Sequence, residues 1–337
     1  MLLKIIDMEI ELKRILFRCD SSSTIGLGHV KRCLVLAKRL KELNKNLEIF
    51  FSTLDLEGNI NFEILKEGFS IYSLKDDSVS SLDYVIKGLS IDFLVIDSYK
   101  IDITFETQLK LNNNSLKIMS FDDILNSHNV DFILNHGIQA KKHIYKELVP
   151  KNCKILCGNE YTLLRDEFFK KYNNKKIEKN SVAIILGGND VLNLSLKVAL
   201  FLLEINSKYK VSVITTRVNP HLKELRKNKN IELLVDSDNI AEVLSTKELV
   251  ITASGGTLFE VLALKKDFIN IEIVSNQNDI TNFLEKKGVK TTIKAENLSL
   301  KELEKKIEYI NKKDVYKKLD LKFSRDKLVK KILKEIK

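Results

Sequence analysis

Short β-rich runs alternate with stretches of helical periodicity along this chain, and after one polar break the alternation starts again. Arg14–Cys19 (RILFRC) reads as a buried strand. A helix over 29–43 follows, with Val30, Cys33, Leu34, Ala37 and Leu40 at helical spacing. Residues 47–53, 91–97 and 116–121 are the next strands, then short ones at 131–134 and 154–156. Residues 170–180 are polar and helix-poor and read as an exposed connection. The pattern resumes with a strand at 181–186, a helix from about Leu192 to Ile205, and strands at 210–216, Ile231–Val235, 249–252 and 268–273. Parallel strands need covering crossovers, so this alternation predicts α/β sheets with helices on both faces. The restart predicts two domains, 1–169 and 170–337. Ligands of open α/β sheets bind beyond the carboxyl ends of the strands, so the site is expected in a cleft that the two domains face.

Composition narrows the class. The 337 residues are 44% hydrophobic and 30% charged, enough apolar surface to exclude disorder, and 12 Gly with 2 Pro exclude collagen-like repeats. No apolar run approaches the ~18 residues of a membrane helix, and residues 1–14 carry no leader-like apolar centre. Neither membrane insertion nor a signal peptide is expected. Four scattered cysteines suit reduced thiols and a cytoplasmic setting. The formal charge of +10 invites a nucleic-acid reading, but residues 301–337 hold 13 Lys and Arg325 against seven acids, so most of the excess lies in one stretch. Leu319, Leu321, Phe323, Leu328, Ile332 and Leu333 interleave with those charges. This predicts an amphipathic helical tail closing the fold; a surface for anionic lipid or nucleic acid is the alternative. Interleaved aromatics and Cys/His fingers are missing, so no nucleic-acid partner is expected.

Three turns carry the chemistry. Asp20-Ser21-Ser22-Ser23-Thr24-Ile25-Gly26-Leu27-Gly28-His29-Val30-Lys31-Arg32 joins the first strand to the first helix. Gly26 and Gly28 permit a tight turn and close approach of a ligand. The helix start offers free N–H groups to an anion, and His29 stands there as a neutral base. A dinucleotide fingerprint would need a small residue where Lys31 stands, so no nicotinamide or flavin cofactor is expected. Gly187-Gly188-Asn189-Asp190 follows the first strand of the second half and suits a diphosphate, or simply a tight turn. Ser254-Gly255-Gly256-Thr257 opens another helix, and Glu260, one turn in, can accept hydrogen bonds from a ribose diol or stabilise the helix. Polar strand ends occur at Asp97-Ser98-Tyr99, Ser120-Asp122-Asp123 and Asn276-Gln277. No set of His and Cys makes a metal site, so metal and cofactor are both expected to be none.

These residues resemble a known family. Arg18-Cys19-Asp20-Ser21, Ile25-Gly26-Leu27-Gly28-His29-Val30-Lys31-Arg32 and Ser120-Phe121-Asp122-Asp123 are similar to the motifs of the UDP-2,4-diacetamido-2,4,6-trideoxy-β-L-altropyranose hydrolases of pseudaminic acid biosynthesis. The Gly187–Asp190 and Ser254–Glu260 pieces are shared with the broader glycosyltransferase B superfamily. The resemblance runs in order from about Arg14 to about Gly288; residues 1–12 and the basic tail lie outside it. It implies two Rossmann-like domains facing a cleft, with UDP on the C-terminal one and the sugar facing the N-terminal one. It also implies His29 as the catalytic residue, and Tyr99, Arg165, Glu260 and Asn276 as substrate contacts.

The expected reaction is hydrolysis of a UDP-linked diacetamido sugar to free sugar and UDP. Water activated by His29 would attack the anomeric carbon with inversion, and the helix starts after Gly188 and Gly256 would stabilise the leaving diphosphate. The expected partner is the UDP-sugar alone, bound by a monomer. A glycosyltransferase of the same fold and a nucleotide-sugar binding module without turnover are the alternatives.

Overall fold

The computed structural model describes residues 13–172, 176–311 and 315–336. The stretch read for a leader, up to residue 12, and residues 173–175 of the polar connection lie outside the described residues. The order of elements is β1 (Arg14–Cys19), α1 (Gly28–Leu43), β2 (Glu48–Thr53), α2 (Asn61–Lys66), β3 (Ser70–Ser73), α3 (Val79–Gly88), β4 (Phe93–Asp97), α4 (Ile103–Asn112), β5 (Lys117–Phe121), β6 (Phe132–Asn135) and β7 (Lys154–Cys157). It resumes with β8 (Ser181–Ile185), α5 (Leu194–Ile205), β9 (Lys210–Thr215), α6 (Leu222–Lys227), β10 (Ile231–Val235), α7 (Ile240–Thr246), β11 (Leu249–Ala253) and α8 (Gly256–Ala263). It closes with β12 (Asp267–Glu272), α9 (Asn278–Lys286), β13 (Thr292–Lys294), α10 (Leu300–Asn311) and α11 (Lys327–Glu335).

The chain divides into two compact units. The first comprises the residues up to Leu134, Lys142–Leu156 and the residues from Asp326 onward; the second comprises Asn135–Lys141 and Cys157–Arg325. This division differs from a single break at 169/170. Leu164 and Phe168 group with the second unit because their side chains join its core beside Leu258 and Leu262. Helix α11 groups with the first unit, where it packs on α1 and Arg39 binds Asp326.

Among the described residues, the first unit carries a seven-stranded sheet ordered β3-β2-β1-β4-β5-β6-β7, with parallel pairing throughout its β1 to β6 registers. Strands β1 and β4 are buried along nearly their whole length, as strands covered on both faces must be. Helix α1 buries Val30, Cys33, Leu34, Ala37 and Leu40 on the sheet, the stripe read from the sequence. The second unit repeats the plan, with a six-stranded parallel sheet ordered β10-β9-β8-β11-β12-β13. One of its cores packs α5 and α10 on one face; the other packs α7, α8 and α9 on the opposite face.

In each unit the strand order reverses direction between two neighbours, β1 and β4 in the first and β8 and β11 in the second. Crossovers leave to opposite sides there, which opens a crevice at the carboxyl ends of those strands.

The basic tail is not one amphipathic helix. Helices α10 and α11 are separated by non-helical residues 319–326, with one 3-10 turn at Tyr316–Lys318 before them. Leu319, Leu321 and Phe323 recur every second residue, and that period suits extended backbone, with apolar side chains against the second unit's core and Asp320 and Lys322 outward. Among the described residues no helix is long and apolar enough to cross a membrane.

Candidate active site

The loop leaving β1 is held by its own hydroxyls. Ser22 and Gly26 exchange backbone hydrogen bonds, and Ser22 Oγ accepts from the amides of Thr24 and Ile25 at 3.2 and 2.9 Å. Gly26 sits at φ +87°, a conformation that strains any residue with a Cβ. The chain then enters α1 with Leu27 as an N-cap that supplies no side-chain hydrogen bond, and no acid follows in the first turn. The first intrahelical bond is Lys31 N to Leu27 O, so among the described residues the amides of Gly28, His29 and Val30 remain open at the positive end of the helix.

His29 is buried, and its Nδ1 lies 2.5 Å from Asp97 Oδ1. Asp97 ends β4, in register with Cys19 at the end of β1, so the two groups meet at the first switch point. Arg32, one turn beyond His29, donates through Nε to Asp97 Oδ2 at 2.6 Å and through Nη2 to Oδ1 at 2.5 Å. Its Nη1 reaches Asp123 Oδ2 at 3.1 Å, and the guanidinium lies 4.8 Å from the Phe121 ring centre. Burial alone would raise the Asp97 pKa, but Arg32 and His29 hold it well below the usual carboxylate range. Burial likewise opposes the Arg32 charge, which Asp97 and Asp123 hold on well above the ordinary guanidinium value. An ionised Asp97 only accepts, so the proton of its bond to His29 sits on Nδ1, which leaves Nε2 as the nitrogen free to take a proton. That nitrogen makes no hydrogen bond among the described residues. Tyr99 stands edge-on to the imidazole, ring centres 4.9 Å apart. Burial and then the Asp123 charge push its hydroxyl pKa up, so it stays protonated and able to donate.

Asp20 lies apart from this group. Its buried carboxylate faces Arg18 at 2.8 Å and accepts from Leu54 N at 2.7 Å, tying the β1 loop to the end of β2.

In the second unit, β8 and β11 pair side by side through Ile185 and Thr252, so the turns after them emerge together. Their helix starts differ. The Asp190 carboxylate accepts from the amides of Leu194 and Ser195, both at 2.9 Å, and so caps α5. These two amides are therefore not the diphosphate donors expected after Gly188; a carboxylate of this chain already occupies them. Gly187 turns at φ +96°, and the Gly188 carbonyl accepts from Thr215 and Thr216. Helix α8 has no side-chain cap and no acid in its first turn. Gly255 is its N-cap, and among the described residues the amides of Gly256 and Thr257 stay open.

Glu260, one turn into α8, receives Arg165 in a two-pronged contact, Nε to Oε1 at 2.8 Å and Nη2 to Oε2 at 2.9 Å. Arg165 also faces Glu167, whose other oxygen accepts from Ala241 N. Burial opposes the Arg165 charge, but Glu260 keeps its pKa above the ordinary value. Asn276 is exposed in the 3-10 turn Ser275–Gln277, and its side chain makes no hydrogen bond among the described residues.

Two clusters thus emerge, His29, Arg32, Asp97, Tyr99 and Asp123 in the first unit, and Arg165, Glu260 and the α8 start in the second. Asp97 is legible in the sequence only as a polar strand end; its role as the partner of His29 depends on β4 lying beside β1, which no local pattern announces.

Two parallel sheets in Rossmann order, with polar turns at both switch points, define a protein of the glycosyltransferase B type. Residues 171–336 match the glycosyltransferase family 28 C-terminal domain. Among solved structures, MurG of Acinetobacter baumannii superposes with TM-score 0.64 at 12% identity, over 96% of this chain and 99% of that one. The spinosyn rhamnosyltransferase SpnG superposes with TM-score 0.62 at 13% identity, over 95% and 96% of the two chains. The curated UDP-2,4-diacetamido-2,4,6-trideoxy-β-L-altropyranose hydrolase of Campylobacter jejuni is 36% identical over 285 residues, 83% of this chain and 99% of the relative. The chain belongs to that hydrolase family.

Proposed function

We propose that this protein hydrolyses a UDP-linked 2,4-diacetamido-2,4,6-trideoxy sugar to the free sugar and UDP. Family membership supports the substrate class. The observation that carries the chemistry is the His29–Asp97 pair at the first switch point, which leaves Nε2 as a base. Nε2 takes a proton from water as the water oxygen bonds to the anomeric carbon. The bond from that carbon to the diphosphate oxygen breaks, its electron pair leaves with UDP, and the configuration inverts. Tyr99, beside the imidazole, and the open amides of Gly28 to Val30 contact the sugar. The open amides of Gly256 and Thr257 meet the diphosphate, where developing negative charge is worth most to a fixed donor. Glu260, oriented by Arg165, accepts from the ribose diol, and Asn276 contacts the nucleotide. UDP is already a good leaving group, so no step is assigned to a metal, and the monomer is taken as the working unit.

The test is incubation of the purified protein with a panel of UDP-diacetamido sugars in water, following UDP and the anomeric product by NMR. UDP release is expected without any acceptor alcohol, and His29→Asn is expected to lower kcat by about 10²–10⁴-fold while still folding. Release that requires an added alcohol acceptor favours a glycosyltransferase, the activity that the name of SpnG carries. A folded His29→Asn protein with undiminished turnover removes the base assignment.

A further inference from the structure

Asp122, the neighbour of Asp123 in the chain, belongs to a second set of ionisable groups that the proposed reaction does not use. Glu106, on α4, is fully buried. Its Oε1 accepts from Ser120 Oγ at 2.6 Å and faces His128 Nδ1 at 2.8 Å; its Oε2 accepts from Asn129 N at 2.8 Å. The other nitrogen of His128 faces Asp122 Oδ1 at 3.9 Å. Burial opposes a charge on His128, but the nearby Asp122 and Glu106 carboxylates, Glu106 within hydrogen-bond reach, raise its pKa to about 9, so the ring is a cation between two carboxylates at neutral pH.

Asp122 is fixed on every side. Its Oδ2 and its carbonyl both accept from Tyr145 Oη, at 2.8 and 3.1 Å, its Oδ1 accepts from Ile124 N at 3.0 Å, and its own amide donates to Leu134 O. The next residue is Asp123, the outer ligand of Arg32. One path of contacts joins the two sets: Glu106, His128 and Asp122, then, one peptide on, Asp123, Arg32, Asp97 and His29. Apolar side chains fill such a volume with no desolvation cost, so stability alone does not explain three buried ionisable groups here.

We infer that His128 is a positioning residue: held by Glu106, its ring sets a positive charge 3.9 Å from Asp122 and so steadies the Asp122–Asp123 turn, which holds Arg32 on Asp97 and keeps the His29 imidazole oriented. This rests on the proposed role of His29. The arrangement needs no ligand in order to operate, so it can be read apart from turnover.

The experiment uses the full chain with ¹⁵N-labelled histidine. The His29 Nδ1 proton is followed by NMR, and kcat and KM are measured on the UDP-sugar that the wild type cleaves. His128→Gln removes the cation. Tyr145→Phe removes one buried hydroxyl from Asp122 at almost constant volume, so it remains informative should the first variant fold poorly. Both variants are expected to shift or broaden the His29 Nδ1 resonance. They are expected to lower kcat by about tenfold or more and about threefold respectively, with KM within about twofold. A merely structural role lowers the folded fraction and leaves both quantities per folded molecule unchanged. A folded variant in which the His29 resonance stays in place overturns the inference, whatever its kcat. A wild type that releases no UDP removes the proposed function, while the resonance still decides whether His128 acts on His29.

Discussion

A neutral imidazole can carry its proton on either nitrogen, and Asp97 decides which one His29 uses. Asp97→Asn tests this at the scale of one residue. The amide offers Nδ1 either a donor or a weaker acceptor, so the proton is free to move to Nε2 and block the base. We expect kcat for UDP release to fall by about 10²–10⁴-fold with KM little changed. Stability falls too, because the part-buried Arg32 charge loses its Asp97 carboxylate; loss of one member of a fully buried pair costs about 3–5 kcal/mol, which bounds the fall read by denaturant unfolding. Turnover at the wild-type rate, with the fold intact, would end the assignment. How much of this is legible in the sequence follows from chain separation. The Gly-x-Gly-His turn names His29 and Arg32 from adjacent residues. Asp97 reaches His29 across 68 positions, and only the strand order joins them. His128 and Glu106 leave no local mark at all: one is a histidine in a loop, the other an acid in a helix whose partner lies 22 positions away.

At the scale of elements, the two helix starts of the second unit separate capping from binding. Asp190 already neutralises the start of α5, whereas the start of α8 is open. Asp190→Ala should therefore cost stability, about 1–2 kcal/mol in chemical unfolding, from the loss of a double cap. Thr257→Glu should do the reverse. An acid in the first turn of α8 suits the helix dipole by about 0.3–1 kcal/mol at most, yet repels a diphosphate, so UDP affinity by calorimetry should drop about tenfold or more. Unchanged UDP affinity in Thr257→Glu would remove α8 from the nucleotide site. The sequence marks both turns through their glycines, but not which carboxylate folds back onto which amide. Elements with a strong apolar run are legible to within a residue or two. Strands β3 (SIYS) and β13 (TIK) are not, because one is a largely exposed edge strand and the other has three residues. The stretch around Leu319 reads as helix while its lysines dominate the composition, although its apolar residues repeat with a period of two.

At the scale of the whole molecule, the buried charges of the first unit make stability depend on pH in a way the net charge of +10 does not predict. His128 is raised from 6.5 to about 9 in the folded chain, so its contribution is complete below about pH 6.5 and is lost as pH rises through 9. Asp97 and Asp122 are lowered, so theirs is present above the unfolded carboxylate value, about 3.9, and is lost as pH falls below it. Stability of the first unit should thus be greatest between about pH 5 and 6.5 and decline into the alkaline range. The His128 share is at most about 3 kcal/mol, since each tenfold gain in proton affinity on folding is worth about 1.4 kcal/mol. Thermal unfolding of the full chain at a series of pH values from 5 to about 10 measures it. His128→Gln should lower Tm near pH 6 and remove most of the decline between pH 7 and 9, so the variant and wild-type curves converge as pH rises. Curves that stay parallel across that window would mean that His128 is neutral in the folded protein. The path of contacts from Glu106 to His29 would then lose the cation on which it is built.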